Sequence, residues 1–153
     1  MNPLLSELFG VELTPGVLVQ YRVPEQRPED LYCLIAEEAQ ALSYIYPSLP
    51  YVYLPTTTGV EVVANKGFSI IPILKTDTLV QNLEKKEDRS YRVWNELESM
   101  NYEDEALVYN PVVGEVAKEY NPAIALARNV GGKEQRIVIF GDADCISNGD
   151  AQR

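Results

Sequence analysis

An aspartate pair closes one of the apolar runs of this chain: Arg136-Ile137-Val138-Ile139-Phe140 leads straight into Gly141-Asp142-Ala143-Asp144. Carboxylates beyond the carboxyl end of a strand stand where layered α/β folds commonly place ligands. Their oxygens suit a hard cation such as Mg2+, and two carboxyls whose surroundings split their pKa values can serve as acid and base. Asp and Asn are equally ordinary turn and cap residues, because their short side chains bond the neighbouring backbone. The expectation is that Asp142 and Asp144 shape the strand end, with Ser147 or Asn148 capping the next turn. The alternative is a divalent-metal-dependent hydrolase or phosphoryl-transfer enzyme built on those two aspartates.

The rest of the catalytic repertoire is thin. The chain has no histidine, which removes Ser-His-Asp and Cys-His chemistry and histidine-ligated zinc. Cys33 and Cys145 are too few for a structural zinc site, and the expectation for both is burial as small apolar residues. Cys145 follows a strand as a nucleophile does on an elbow, but its imidazole partner is missing. Gly131-Gly132 precedes a strand instead of linking strand to helix, so it is not a dinucleotide fingerprint, and the ATPase phosphate-binding loop is absent. No catalytic residue, metal ligand or cofactor is expected.

Tyr44, Tyr46, Tyr51 and Tyr53 interleave with Pro47, Pro50 and Pro55. Prolines this dense forbid a continuous helix and confine any strand to an edge. Tyrosines on such a segment either cover the core beneath a long loop or offer a rigid contact surface with polar tips. They are the binding candidates of the chain, together with Asp142 and Asp144. The formal charge of −10 argues against nucleic acid. The one lysine pair, Lys85-Lys86, is neutralised by Glu84, Glu87 and Asp88.

The positioning elements read as follows. Asn2 and Pro3 open a short helix with Leu4, Leu5 and Leu8 on one face, and Gly10 ends it. Val11–Leu13, a turn at Thr14-Pro15-Gly16 and a strand at Val17–Tyr21 follow. Leu31, Leu34, Ile35, Ala39 and Leu42 recur at helical spacing, which predicts a helix from Glu29 to about Leu42. Val60–Val63 and Phe68–Leu74 read as strands, and Pro72 calls for an edge or a bulge. Residues 76–90 read as a polar connection with a helical turn near 78–83. Tyr91–Trp94 reads as a short strand, and Glu96–Glu105 as a solvated acidic loop. Ala123–Arg128, a turn at Gly131-Gly132 and Arg136–Phe140 read as two strands, the second a central one covered on both faces. With 153 residues, 46% hydrophobic and 24% charged, the chain suits a single α/β domain over 1–153, carrying a Pro/Tyr-rich insertion at 24–58.

The stretch from Asn121-Pro122-Ala123-Ile124-Ala125-Leu126-Ala127-Arg128 through Lys133-Glu134-Gln135-Arg136 to Gly141-Asp142-Ala143-Asp144, together with Asn2-Pro3-Leu4-Leu5 and Phe9-Gly10-Val11, resembles the extracytoplasmic domain of GldG-like proteins. These are gliding-motility-type auxiliary components of ABC-type transport systems. The resemblance covers roughly residues 1–22 and 108–150. It implies a flavodoxin-like or class I glutamine-amidotransferase-like α/β fold without the amidotransferase chemistry. It also implies membrane helices outside this segment, a place on the periplasmic face of the cytoplasmic membrane, and partners among ABC permease, ATPase and other auxiliary subunits. The expected function is a non-catalytic binding or scaffolding domain. A third reading is a purely structural module whose tyrosine segment forms a homodimer.

Overall fold

The computed structural model describes residues 3–20, 27–40, 51–76, 93–98 and 107–142. Helix α1 (Pro3–Phe9) is followed by Gly10, whose φ of 70° is the left-handed stop and whose N–H donates to the Ser6 carbonyl at 3.1 Å. Strand β1 (Val11–Leu13), the turn at Thr14–Gly16 and β2 (Val17–Gln20) come next. Then follow β3 (Asp30–Ile35), the one-turn helix α2 (Glu37–Gln40), β4 (Val52–Pro55), β5 (Val60–Val62), β6 (Ser69–Thr76), β7 (Val93–Glu96), a 3-10 turn at Pro111–Val113, β8 (Ala123–Val130) and β9 (Lys133–Phe140).

Among the described residues every strand pair is antiparallel. Five strands form one sheet in the order β4-β3-β6-β8-β9, while β1 pairs with β5 and β2 with β7 as separate ribbons. This corrects the α/β expectation and the flavodoxin-like or amidotransferase-like layering implied by the resemblance. A layered α/β fold needs crossover helices that return the chain to parallel strands. Among the described residues the two helices are seven and four residues long, and the sheet neighbours β3–β4 and β8–β9 run antiparallel. The structure is mostly β.

The expected helix at Glu29–Leu42 is the largest local error. Residues 30–35 are strand, with Leu31 and Cys33 fully buried on one face. Leu31, Cys33 and Ile35 alternate at period two while the same stretch also satisfies a helical period, and a short apolar run fits both. Pairing with β4 and β6 decides the case. Pro72 behaves as expected: the β6–β8 register shifts between Pro72 and Leu74, a bulge inside an interior strand.

The core lies on both faces of the sheet, and β8 divides it. Ala123 and Ala125 join Leu18, Leu31, Leu54, Leu74 and Val93 on one face; Ile124 and Leu126 join Val11, Val60 and Phe68 on the other. The β2–β7 ribbon therefore covers the first face, and β1–β5 with Phe9 of α1 covers the second. Burial of a side chain such as Leu126 contributes about 1.5–3 kcal/mol. The strand covered on both faces is β8, not β9 as expected. Its alanines, Ala123 and Ala125, stand on one face and its larger side chains, Ile124 and Leu126, on the other. β9 lies at the sheet's edge with mostly exposed side chains.

Among the described residues no helix is long and apolar enough to cross a membrane.

Candidate functional site

The two edges of the five-stranded sheet carry the binding candidates. At one edge, β4 brings Tyr53 beside Tyr32 of β3, with ring centroids 5.5 Å apart, and Tyr51 meets Tyr32 edge-on at 6.3 Å. The Tyr53 hydroxyl donates to Asp30 Oδ1 at 2.6 Å, so its polar tip is already engaged within the fold. Tyr51 is half exposed. Tyr44 and Tyr46 lie outside the described residues.

The backbone of β4 presents little to a newcomer. Thr56 N–H donates to the Glu29 carbonyl at 3.1 Å, and stepping back by two along the register turns Leu54 and Val52 toward β3. The outward positions are Tyr53 and Pro55, and Pro55 has no N–H to give. A proline and a length of four residues are the usual ways of blunting an edge.

The opposite edge is built otherwise. Gly131 and Gly132 both have positive φ, 58° and 76°, the two-residue turn whose twist matches a hairpin. The register that follows pairs Val130 with Lys133 and continues without a bulge to Ala123 with Phe140. Gly141 N–H donates to the Pro122 carbonyl at 2.8 Å. By the same alternation Lys133, Gln135, Ile137 and Ile139 point their backbone groups at β8. Glu134, Arg136, Val138 and Phe140 point theirs away from the sheet. The side chains divide likewise. Ile137 and Ile139 pack on the cluster of Phe68, Ile124 and Leu126, while Val138 and Phe140 are 45% and 46% exposed. Glu134 and Arg136 form an exposed ion pair at 2.7 Å, and the Arg136 guanidinium holds the Glu134 carboxyl below its ordinary range.

Asp142 sits at the base of this hairpin and is buried. The adjoining Gly141 packs against the turn after β4: its carbonyl accepts from Thr58 N–H at 3.0 Å, and a Cβ there would lie 1.9 Å from the Thr58 carbonyl oxygen. The chain thus leaves the sheet at Gly141, and Asp142 belongs to that bend. Asp144 and Cys145 lie outside the described residues, so the two aspartates are not seen together. Among the described residues no three His, Cys, Asp or Glu side chains are grouped to hold a metal.

A second carboxylate pair escaped sequence reasoning. Glu96, expected in a solvated acidic loop, is the last residue of β7 and is buried, as is Glu115. Glu115 accepts from Asn110 N–H at 2.6 Å and from Leu97 N–H at 3.3 Å; Glu96 accepts from Trp94 Nε1 at 3.1 Å and from Glu98 N–H at 3.0 Å. Burial, together with the neighbouring Glu96, pushes the Glu115 carboxyl up. Beside the pair, Tyr120 donates its hydroxyl to the Val116 carbonyl, and burial raises that phenol to about 12. Each of these carboxyls bonds local backbone or Trp94, so the pair clamps the loop around Pro111–Val113 onto the end of β7. Nothing in the sequence marks it, because the two glutamates meet only through the tertiary fold.

No family model, curated protein or solved structure matches the chain.

Proposed function

We propose that this chain is a non-catalytic binding or scaffolding module that recruits a partner by strand addition at β9. One observation carries the reading: an eight-residue strand, free of proline and bulge, ends the sheet among the described residues and turns the N–H and C=O groups of Glu134, Val138 and Phe140 away from β8. Soluble β proteins protect such edges, and an open one supplies main-chain bonds for affinity and alternate side chains for specificity. The absence of histidine from the sequence and the engagement of Glu96 and Glu115 with backbone support a role in recognition over catalysis. A setting beside an ABC permease, on the periplasmic face of a membrane, rests in this proposal on the quoted end motifs alone, since the fold implied by that resemblance is not the one observed.

Photo-crosslinking tests the proposal. A photoreactive residue placed at Val138 in cells producing the full protein is expected to yield a crosslinked species, and one placed at Tyr53 is not. Absence of any product at Val138 sinks the reading. Thermal-shift titration with Mg2+, Mn2+ and Ca2+ addresses the metal-enzyme alternative: no stabilisation is expected, and a shift removed by Asp142→Asn with Asp144→Asn would contradict the non-catalytic assignment.

A further inference from the structure

We propose that Glu115 is a proton-operated catch: with its proton on, it closes the loop at 107–116 onto the end of β7, and loss of that proton lets the loop come away while the sheets stay folded. This goes beyond the β9 reading and stands independently of it. Two buried carboxyls carry it. Glu115 Oε1 accepts from Leu97 N–H and Glu96 Oε1 from Glu98 N–H. The pair thus grips consecutive amides of one bend, and the two side chains lie within hydrogen-bond reach of each other. The second oxygen of Glu115 takes Asn110 N–H at 2.6 Å, and that of Glu96 takes Trp94 Nε1 at 3.1 Å. One carboxyl ties the loop to the bend, and the other ties the bend to β7.

The strength of the tie depends on one proton. A protonated Glu115 accepts from both amides and still donates its O–H to the Glu96 carboxylate, a short charge-assisted bond. An ionised Glu115 keeps the amides but sets a second negative charge against Glu96 in a site withdrawn from water, where like charges repel strongly.

The surroundings of Glu115, among the described residues, fit this role. From β7 it meets Glu96, and beyond the strand Glu98, whose Oε2 accepts from Asn110 Nδ2. Tyr109 lies edge-on to Trp94 at 6.3 Å, and Val19 of β2 joins the same cluster. Tyr120, raised by burial to about 12, keeps its proton throughout. Lys118 is bonded to Glu61 at 2.6 Å and lies over the Tyr120 ring, so its charge is engaged elsewhere. Burial first, and the neighbouring Glu96 after it, hold the Glu115 carboxyl above its ordinary 4.5. The closed loop is therefore favoured below about 4.5 and loses that advantage as pH rises through the raised value. The loop carries Val108 and Val112, 72% and 91% exposed, so proton loss changes how the chain presents an apolar surface.

Trp94 is the only tryptophan of the chain, and its bond to Glu96 makes its fluorescence a reporter of the catch. In the full chain, emission is expected to shift in one step as pH rises from about 4 to about 8, with far-UV circular dichroism unchanged. The Asn110 amide is expected to lose protection against hydrogen exchange across the same step. Glu115→Gln, whose amide cannot ionise, is expected to keep the acid-form emission throughout. Should that variant fail to fold, Glu96→Gln removes the facing charge and is expected to move the step down toward about 4.5. No step in the wild type, a step left in place by both variants, or a loss of circular dichroism together with the emission change overturns the proposal.

Discussion

The strands β4 and β9 end the same sheet in opposite ways. β4 is short, its outward positions are Tyr53 and Pro55, and its inward Leu54 is 1% exposed. Its tyrosine hydroxyl is satisfied by Asp30. β9 is twice as long, repeats its outward backbone groups from Glu134 to Phe140, and leaves two apolar side chains at the surface. The first edge is finished by its own side chains, and among the described residues the second has no strand beyond it. Tyrosine-rich segments attract attention as contact surfaces, yet Tyr51 and Tyr53 meet Tyr32 edge-on and tilted at one edge of the sheet, while the proposed binding edge is a plain run of isoleucine, valine and phenylalanine.

That contrast makes graded predictions. Leu54→Ala should lower folding stability by about 2–5 kcal/mol, the range for emptying a fully buried leucine site; urea denaturation measures it. A loss near zero would mean that the β4 edge is not part of the folded core. Tyr53→Phe should lose about 1 kcal/mol, the net value of one hydrogen bond, with Tyr51→Phe costing less, since its ring is half exposed.

The pH dependence separates folding from association. The Glu115 carboxyl is raised in the folded chain above its ordinary 4.5, so its contribution to stability is fully present below about 4.5 and is lost as pH rises through the folded value. Melting temperature should therefore fall over that window, and Glu115→Gln should flatten the fall. Association at β9 should not follow it, because Glu134 there is lowered by Arg136 and titrates below that window. Loss of partner binding at β9 in parallel with the Glu115 titration would tie the two regions together and break the comparison. The smallest effect expected is on folding itself at β9: Val138→Ala should change the monomer's stability by no more than about 0.5 kcal/mol, as for an exposed surface site.

Local signals were readable where they are dictated by short-range chemistry. Pro3 and Gly10 bracket α1, Gly131-Gly132 forces the β8–β9 turn, and Pro72 marks the bulge in β6. Pro55 points to an edge because proline lacks a donor. What failed depended on partners far along the chain. Leu31, Leu34 and Ile35 satisfy two periods, and only pairing with Val52–Pro55 and Leu74–Thr76 selects the strand. Once that segment is read as a helix, an α/β class follows, and the apolar run Ile137–Phe140 is assigned to the middle of a parallel sheet. Four apolar residues in a row describe equally a strand covered on both faces and an edge strand whose outer face waits for a partner. Val93–Glu96 was expected two residues earlier, and with it went the burial of Glu96 and its meeting with Glu115. Of the candidate residues, Tyr51 and Tyr53 fall at the closed edge and Asp142 at the base of the open one.

Amide hydrogen exchange along β9, followed by nuclear magnetic resonance with and without the crosslinked partner, tests the proposed binding edge most directly. In the absence of a partner the amides of Gln135, Ile137 and Ile139 should be protected by β8 while those of Val138 and Phe140 exchange faster, and the second group should gain protection when the partner crosslinked at position 138 is bound. Protection of Val138 and Phe140 already without a partner, or unchanged exchange with the crosslinked partner bound, would contradict the account.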